Sequence, residues 1–278
     1  MSTWLPSFNS ENVRCTWEFD LTVPVNIVVI ANGELVEQVL TPSRTSKVCS
    51  FRMSAPISTA GIGLTAGPFE AIQDPDNDKL FYFCPPGYLA AMDNSISIMS
   101  KAIDSIVDYL SIPFPFQSYK QVCILFFFLF SFLLVGLSPW SNPPPPSRQV
   151  FVPVSSTAKF SSGATLAIFS TDILNDASII DQTFSTRISL VEALAEQWFG
   201  NYVLPKSIQD TWLIIGLSRF LAMQYLKKLF GQNEILYRLR LESDWVCEQD
   251  VEQPALSDYI SEPDETRIEF VRKKVWHP

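Results

Sequence analysis

Glu192 and Glu196 stand one helical turn apart, and two carboxylates at that spacing could in principle serve as ligands of a divalent cation. Such a site needs further donors to complete its coordination. Histidine, the commonest nitrogen ligand, is nearly absent, since the chain has one, His277. The cysteines Cys15, Cys49, Cys84, Cys123 and Cys247 are odd in number, widely spaced and form no C-x-x-C pair. Neither a zinc knuckle nor a disulfide framework is expected from them.

These carboxylates belong to a predicted helix starting at Ser185 or Thr186, either of which could cap it, with Ile188, Val191, Ala195 and Trp198 on one face. Further helices are expected over 207–229, ending at Gly231, and over 233–246. An earlier helical period carries Ile96, Met99, Ile103, Ile106, Val107 and Leu110 and stops at Pro113. Before Pro85-Pro86-Gly87 the pattern is different. Cys15, Trp17, Phe19, Leu21 and Val23 alternate with polar residues, which reads as a half-buried strand. Apolar runs at 25–30, 35–40, 48–53 and 62–66 follow between turn signals, and Asn32-Gly33 is a type I′ hairpin signal. The expected architecture is α+β: an antiparallel β domain over 1–86, then a helix-rich domain over 87–278.

The chain has 278 residues, 47% hydrophobic and 18% charged, enough to bury a sizeable core. A net charge of −9 argues against a broad phosphate-neutralising face. Arg238, Arg240, Arg267, Arg272, Lys273 and Lys274 lie among Glu242, Asp244, Glu248, Asp250, Glu262, Asp264 and Glu265, which reads as a solvated mixed-charge surface. The opening residues show neither a basic n-region nor an apolar h-region, so an intracellular, reducing compartment is expected.

Residues 122–137, V-C-I-L-F-F-F-L-F-S-F-L-L-V-G-L, are followed closely by four prolines at 143–146. On hydropathy this is a membrane-span candidate just below the required length, without basic asymmetry at its flanks. Its poly-Phe and poly-Pro composition resembles translated pyrimidine-rich intron. The flanks share a repeated Gln-Val, at 121–122 and 149–150, and removing about 28 residues joins them as S-Y-K-Q-V-F-V-P-V. Residues 123–149 are therefore expected to be an insertion into the second domain, and no membrane association is expected.

The segment Glu192-Ala193-Leu194-Ala195-Glu196-Gln197-Trp198-Phe199-Gly200-Asn201 resembles the zinc helix of the gluzincin, or M1, aminopeptidases. In that family H-E-x-x-H supplies two zinc ligands and a base, and Q-W-F-G-N follows. By this resemblance Glu192 and Glu196 replace the two His, Ala193 replaces the base, and Ile215 replaces the third ligand nineteen residues later. With Ile215 unable to bind a metal, Glu192 and Glu196 read as a solvated or hydrogen-bonded helix face, and Trp198 as a buried anchor. Gly163-Ala164-Thr165-Leu166-Ala167 resembles the G-A-M-E-N strand, with Leu166 where the amine-gripping Glu would stand. Trp4-Leu5-Pro6, Asn32-Gly33-Glu34-Leu35 and Gly67-Pro68-Phe69-Glu70 resemble segments of the family's β domain, and Tyr259 reads as structural rather than as the counterpart of its catalytic Tyr.

The resemblance implies a thermolysin-like aminopeptidase fold with no catalytic residue, no metal and no cofactor. It is nearest to the ligand-free branch of the family that serves the general transcription machinery of RNA polymerase II. That branch implies a nuclear scaffold partnered by other subunits of the machinery and by promoter DNA, directly or indirectly, without a small-molecule substrate. It also implies that the chain is a fragment. The opposing expectation, an active zinc aminopeptidase, requires two His and a Glu absent from these positions.

Overall fold

A computed structural model describes residues 13–124, 150–151, 160–250 and 274. Trp4-Leu5-Pro6, Tyr259, His277 and residues 125–149 lie outside the described residues. The chain divides into two compact units, the first formed by 1–97, 116–154 and 160–186, the second by 98–115, 155–159 and 187–278.

Among the described residues the first unit holds three sheets. The alternation from Cys15 becomes β1, Cys15–Pro24, which pairs antiparallel with β4, Ser46–Ile57, and β4 pairs on its other side with β3, Glu34–Leu40. A second sheet joins β2, Val28–Ala31, to β5, Leu64–Gly67, and β5 to β9, Val150–Phe151. The third has the order β10-β11-β8-β7-β6, comprising Phe160–Gly163, Leu166–Ser170, Tyr119–Ile124, Leu80–Cys84 and Glu70–Gln73. In it β8 runs parallel to both neighbours, while the outer pairs are antiparallel.

Strand β2 explains how the sheets stack. Alternate side chains of a strand point to opposite faces. Ile30 packs with Phe69, Val122, Ile124, Leu166 and Ile168 of the five-stranded sheet or its approach, whereas Val29 and Ala31 pack with Cys49 and Phe51 of β4. The β2 sheet is thus buried on both faces, and its run of apolar residues is the signature of that position.

The helix-rich expectation holds with shifted boundaries. The change of period near residue 87 gives α1, Leu89–Ile96, and α2, Met99–Leu110, ended by Ser111 in the left-handed region. The five-stranded sheet nevertheless draws β6 and β7 from before residue 86 and β8, β10 and β11 from after it, so it crosses the expected boundary. Helix α3 runs Ile180–Ala195, starting ahead of Ser185. Thr186 does not cap it. Its hydroxyl donates to the Ile173 carbonyl at 2.5 Å, a tertiary bond from within the helix. In the second unit, α4 spans Thr211–Phe230 and α5 spans Gln232–Gln249. Gly231 between them has φ +87°, and its N–H closes α4 on the Lys227 carbonyl. Tyr225 of α4 donates to the Ile98 carbonyl at 3.0 Å, tying it to the start of α2.

One turn departs from its sequence signal. Asn32-Gly33 is not a hairpin, because β2 pairs with β5 and β3 pairs with β4. A type I′ turn needs positive φ at both central residues, and here only Gly33, at +74°, has it. Asn32 is fully buried, and its amide is committed to tertiary bonds, so the chain changes sheets there.

Candidate functional site

Of the expected zinc-helix positions, Glu192 and Ala193 lie on α3, Glu196 in the turn just after it, and Ile215 on α4. Ala193 is fully buried, as a methyl at a close-packed position, and has no group to act as a base. Glu192 is not solvated. Its side chain is 12% exposed, and its Oε1 lies 3.4 Å from Nε of Arg219, itself 10% exposed. Arg219 Nη2 also donates to Oε1 of Glu242 on α5. Arg219 thus joins one carboxylate on α3 and one on α5 from its own place on α4. Ile215 lies one turn before Arg219 on α4, and its carbonyl accepts from the Ser218 hydroxyl at 2.9 Å. Glu196 is half-buried.

The Gln197-Trp198-Phe199-Gly200-Asn201 segment follows the end of α3 as a compact turn. The Glu196 carbonyl receives both the backbone N–H and the side-chain amide of Asn201, each at 3.0 Å. Gly200 has φ +129°, a region closed to other residues at low cost, and an added Cβ would come 3.3 Å from that same carbonyl. Gln197 is fully buried, with its amide 3.4 Å from the Ala193 carbonyl. Trp198 is 3% exposed and packs edge to face on Phe114. These residues shape the helix end and its packing.

The expected amine-binding segment lies in the first unit. Gly163 closes β10, Ala164 and Thr165 form the turn, and Leu166 and Ala167 open β11. A Cβ on Gly163 would stand 2.7 Å from the Gly61 carbonyl, so the close approach of the two backbones requires glycine. Leu166 is buried in the core cluster with Ile30 and Val122, a position with no access for an amine. Thr165 holds φ +66°, rare for a β-branched residue, and two bonds fix it. Its hydroxyl accepts from Gly33 N–H at 2.9 Å, and its carbonyl from Lys120 N–H at 2.8 Å. Asn32 completes the arrangement: its amide nitrogen donates to the Gly61 and Ala164 carbonyls, and its oxygen accepts from Gly63 N–H at 2.5 Å.

Lys120 is the buried cation of this region. Its Nζ donates to the Ala31 carbonyl at 3.0 Å and to the Gly33 carbonyl. Burial holds its pKa down to about 8, with the Glu34 carboxylate pulling it partly back.

The zinc held by active members of the aminopeptidase family does not fit these residues. Glu192 is neutralised by a guanidinium, Ala193 and Ile215 carry no donor, and among the described residues no group of three His, Cys, Asp or Glu could hold a metal ion. The basic residues considered for DNA contact are matched by acids: Arg238 by Glu234 at 2.7 Å, Arg240 by Asp244 at 3.0 Å, and Lys274 by Asp250. Arg267, Arg272 and Lys273 lie outside the described residues. Among those described, no helix is long and apolar enough to cross a membrane.

Sequence reasoning missed Arg219, Glu242 and the tertiary role of Asn32. Arg219 did leave a signal, being the lone charge in the stretch Trp212-Leu213-Ile214-Ile215-Gly216-Leu217-Ser218-Arg219-Phe220-Leu221.

Over 241 residues the chain is 32% identical to transcription initiation factor TFIID subunit 2 of Drosophila melanogaster, covering 87% of this chain and 17% of that protein. It is 30% identical over 248 residues to TFIID subunit 2 of Danio rerio, covering 89% of this chain and 18% of that protein. Aminopeptidase M1 of Arabidopsis thaliana is 21% identical over 234 residues, 83% of this chain and 23% of that protein. The chain therefore spans well under a third of the length of each of these relatives. No protein-family model matches it.

Proposed function

We propose that this chain, which belongs to the TFIID subunit 2 family and is related to the M1 aminopeptidases, is part of a non-catalytic scaffold subunit of TFIID. In this reading it contributes to core-promoter engagement at the initiator and to assembly of the RNA polymerase II preinitiation complex in the nucleus. Its partners are other TFIID subunits and promoter DNA, the latter directly or through those subunits.

One observation carries the non-catalytic half of the reading. Glu192 stands where the first zinc ligand is expected, and it is taken up by Arg219. Hydrolysis in zinc peptidases needs a metal to lower the pKa of bound water and a base to take its proton. Ala193 offers no base, and buried Leu166 offers no carboxylate for a substrate amine. The retained turn after α3 supports a scaffold, because its residues are committed to packing and backbone bonds. The transcription half rests on the likeness to the fly and zebrafish proteins.

A tagged copy of the full chain expressed in cells tests this reading. Affinity purification from nuclear extract is expected to recover TFIID subunits in proportion to the bait. Recovery of none, with the bait folded and nuclear, would contradict it.

A further inference from the structure

We propose that Arg219 is the cation that stands in for the metal of the active relatives, bracing α3 to α4 and α5 through Glu192 and Glu242. In a zinc peptidase the ion is a positive charge shared by donors from two helices. Here the shared charge is a guanidinium carried by one of the helices themselves. The proposal takes from the functional reading only the identification of α3 with the zinc helix, and the brace stands without it.

The geometry favours a cross-link over a chance surface pair. A guanidinium presents five donors in a fixed plane and can serve two carboxylates on different edges. Nη2 of Arg219 donates to Glu242, and Nε lies 3.4 Å from Oε1 of Glu192 as an ion pair without a hydrogen bond, so the two acids come from helices on either side of α4 in the chain. Arg219 and Glu192 are 10% and 12% exposed and Glu242 25%, so water screens the trio weakly. Exposed pairs such as Arg240–Asp244, with side chains 77% and 57% exposed, contribute little by comparison.

Shielding gives the trio a distinctive mutational signature. Removing one member of a buried ion pair leaves an uncompensated charge, and here removing Arg219 leaves the Glu192 and Glu242 carboxylates without their shared cation. Neutralising all three removes the conflict. Arg219→Met should therefore be worse than the triple change Glu192→Gln, Arg219→Met, Glu242→Gln. In a merely structural packing role the arginine's methylene stem would matter most, and Met would preserve it.

The test is a thermal melt of the full chain and these two variants, with zinc content measured alongside. Arg219→Met is expected to lower Tm by about 10 °C, and the triple variant to regain more than half of that loss. Should Arg219→Met fail to fold while the triple variant melts near the parent, the brace is equally supported. Arg219→Met melting with the parent, or a triple variant no better than Arg219→Met alone, would overturn it. Zinc bound by the parent would sink the identification of α3 as a zinc-free counterpart, a failure distinguishable from that of the brace.

Discussion

The rings of Trp198 and Phe114 meet edge to face, with centroids 5.2 Å apart and planes at 79°. This arrangement adds a directional aromatic contact to the burial of the indole. Trp198→Ala should cost about 3–5 kcal/mol, read from denaturant unfolding, because it opens a large cavity behind α3. A nucleobase platform would behave otherwise. A variant that melts like the parent but loses DNA binding would show that the indole works on nucleic acid instead.

Asn32 should be equally intolerant. Its amide satisfies the Gly61 and Ala164 carbonyls and the Gly63 N–H, all around a fully buried side chain. Asn32→Ala orphans these groups, at about 1–3 kcal/mol for each one left unpaired. Asn32→Asp should be worse at neutral pH, since an acceptor would then face two carbonyls. Retention of the parental Tm by Asn32→Asp would refute the network.

How much of this could be read in advance depends on whether the signal was local. The alternation from Cys15 gave β1 directly, because one half-buried strand carries its own period. Gly231 marked the end of α4 for the same reason. The parallel pairing of β7 with β8 was not legible, since the two strands are separated in sequence by two helices, α1 and α2. Asn32-Gly33 misled because a tertiary use of the Asn amide outweighs the turn preference of the pair. At the candidate site, residue types alone carry the expectation that Glu192, Ala193, Glu196 and Ile215 form no zinc set. That Arg219 neutralises Glu192 required the packing of two helices, which no local pattern encodes.

Stability should depend on pH through Lys120. Its folded pKa of about 8 lies below the unfolded 10.5, so the unfolded chain binds more protons between these values. The Lys120 contribution therefore grows as pH rises from about 8 towards 10.5 and is lost as pH falls through 8. Cys84 opposes it. Burial, helped by Glu70, pushes its thiol up to about 11 from 9.0, so its contribution falls as pH rises through that window. Comparing the parent with Lys120→Met cancels the thiol. The difference in unfolding free energy should rise with pH over this range, and a flat difference would count against a buried, discharging lysine.

Deleting 28 residues so that Val122 joins Phe151 should leave the fold intact and raise soluble yield. Cys123 and Ile124 are buried in β8, paired with Phe169 and Ser170, and the deletion puts Phe151 and Val152 in their places. Apolar residues replace apolar residues at buried positions, while the two-residue pairing of β9 with β5 is given up. The shortened chain also loses the apolar run at 122–137 beyond Val122, an aggregation liability. An unfolded shortened chain, with the full chain partitioning stably into membranes, would make the insertion an anchor.

The central claim is that an aminopeptidase fold has given up its metal, and zinc content measures it most directly. Protein purified without chelator and dialysed against zinc should carry far less than one ion per chain and release no product from aminoacyl reporter substrates. One tightly held zinc per chain, lost on Glu192→Gln or Glu196→Gln, would contradict the account.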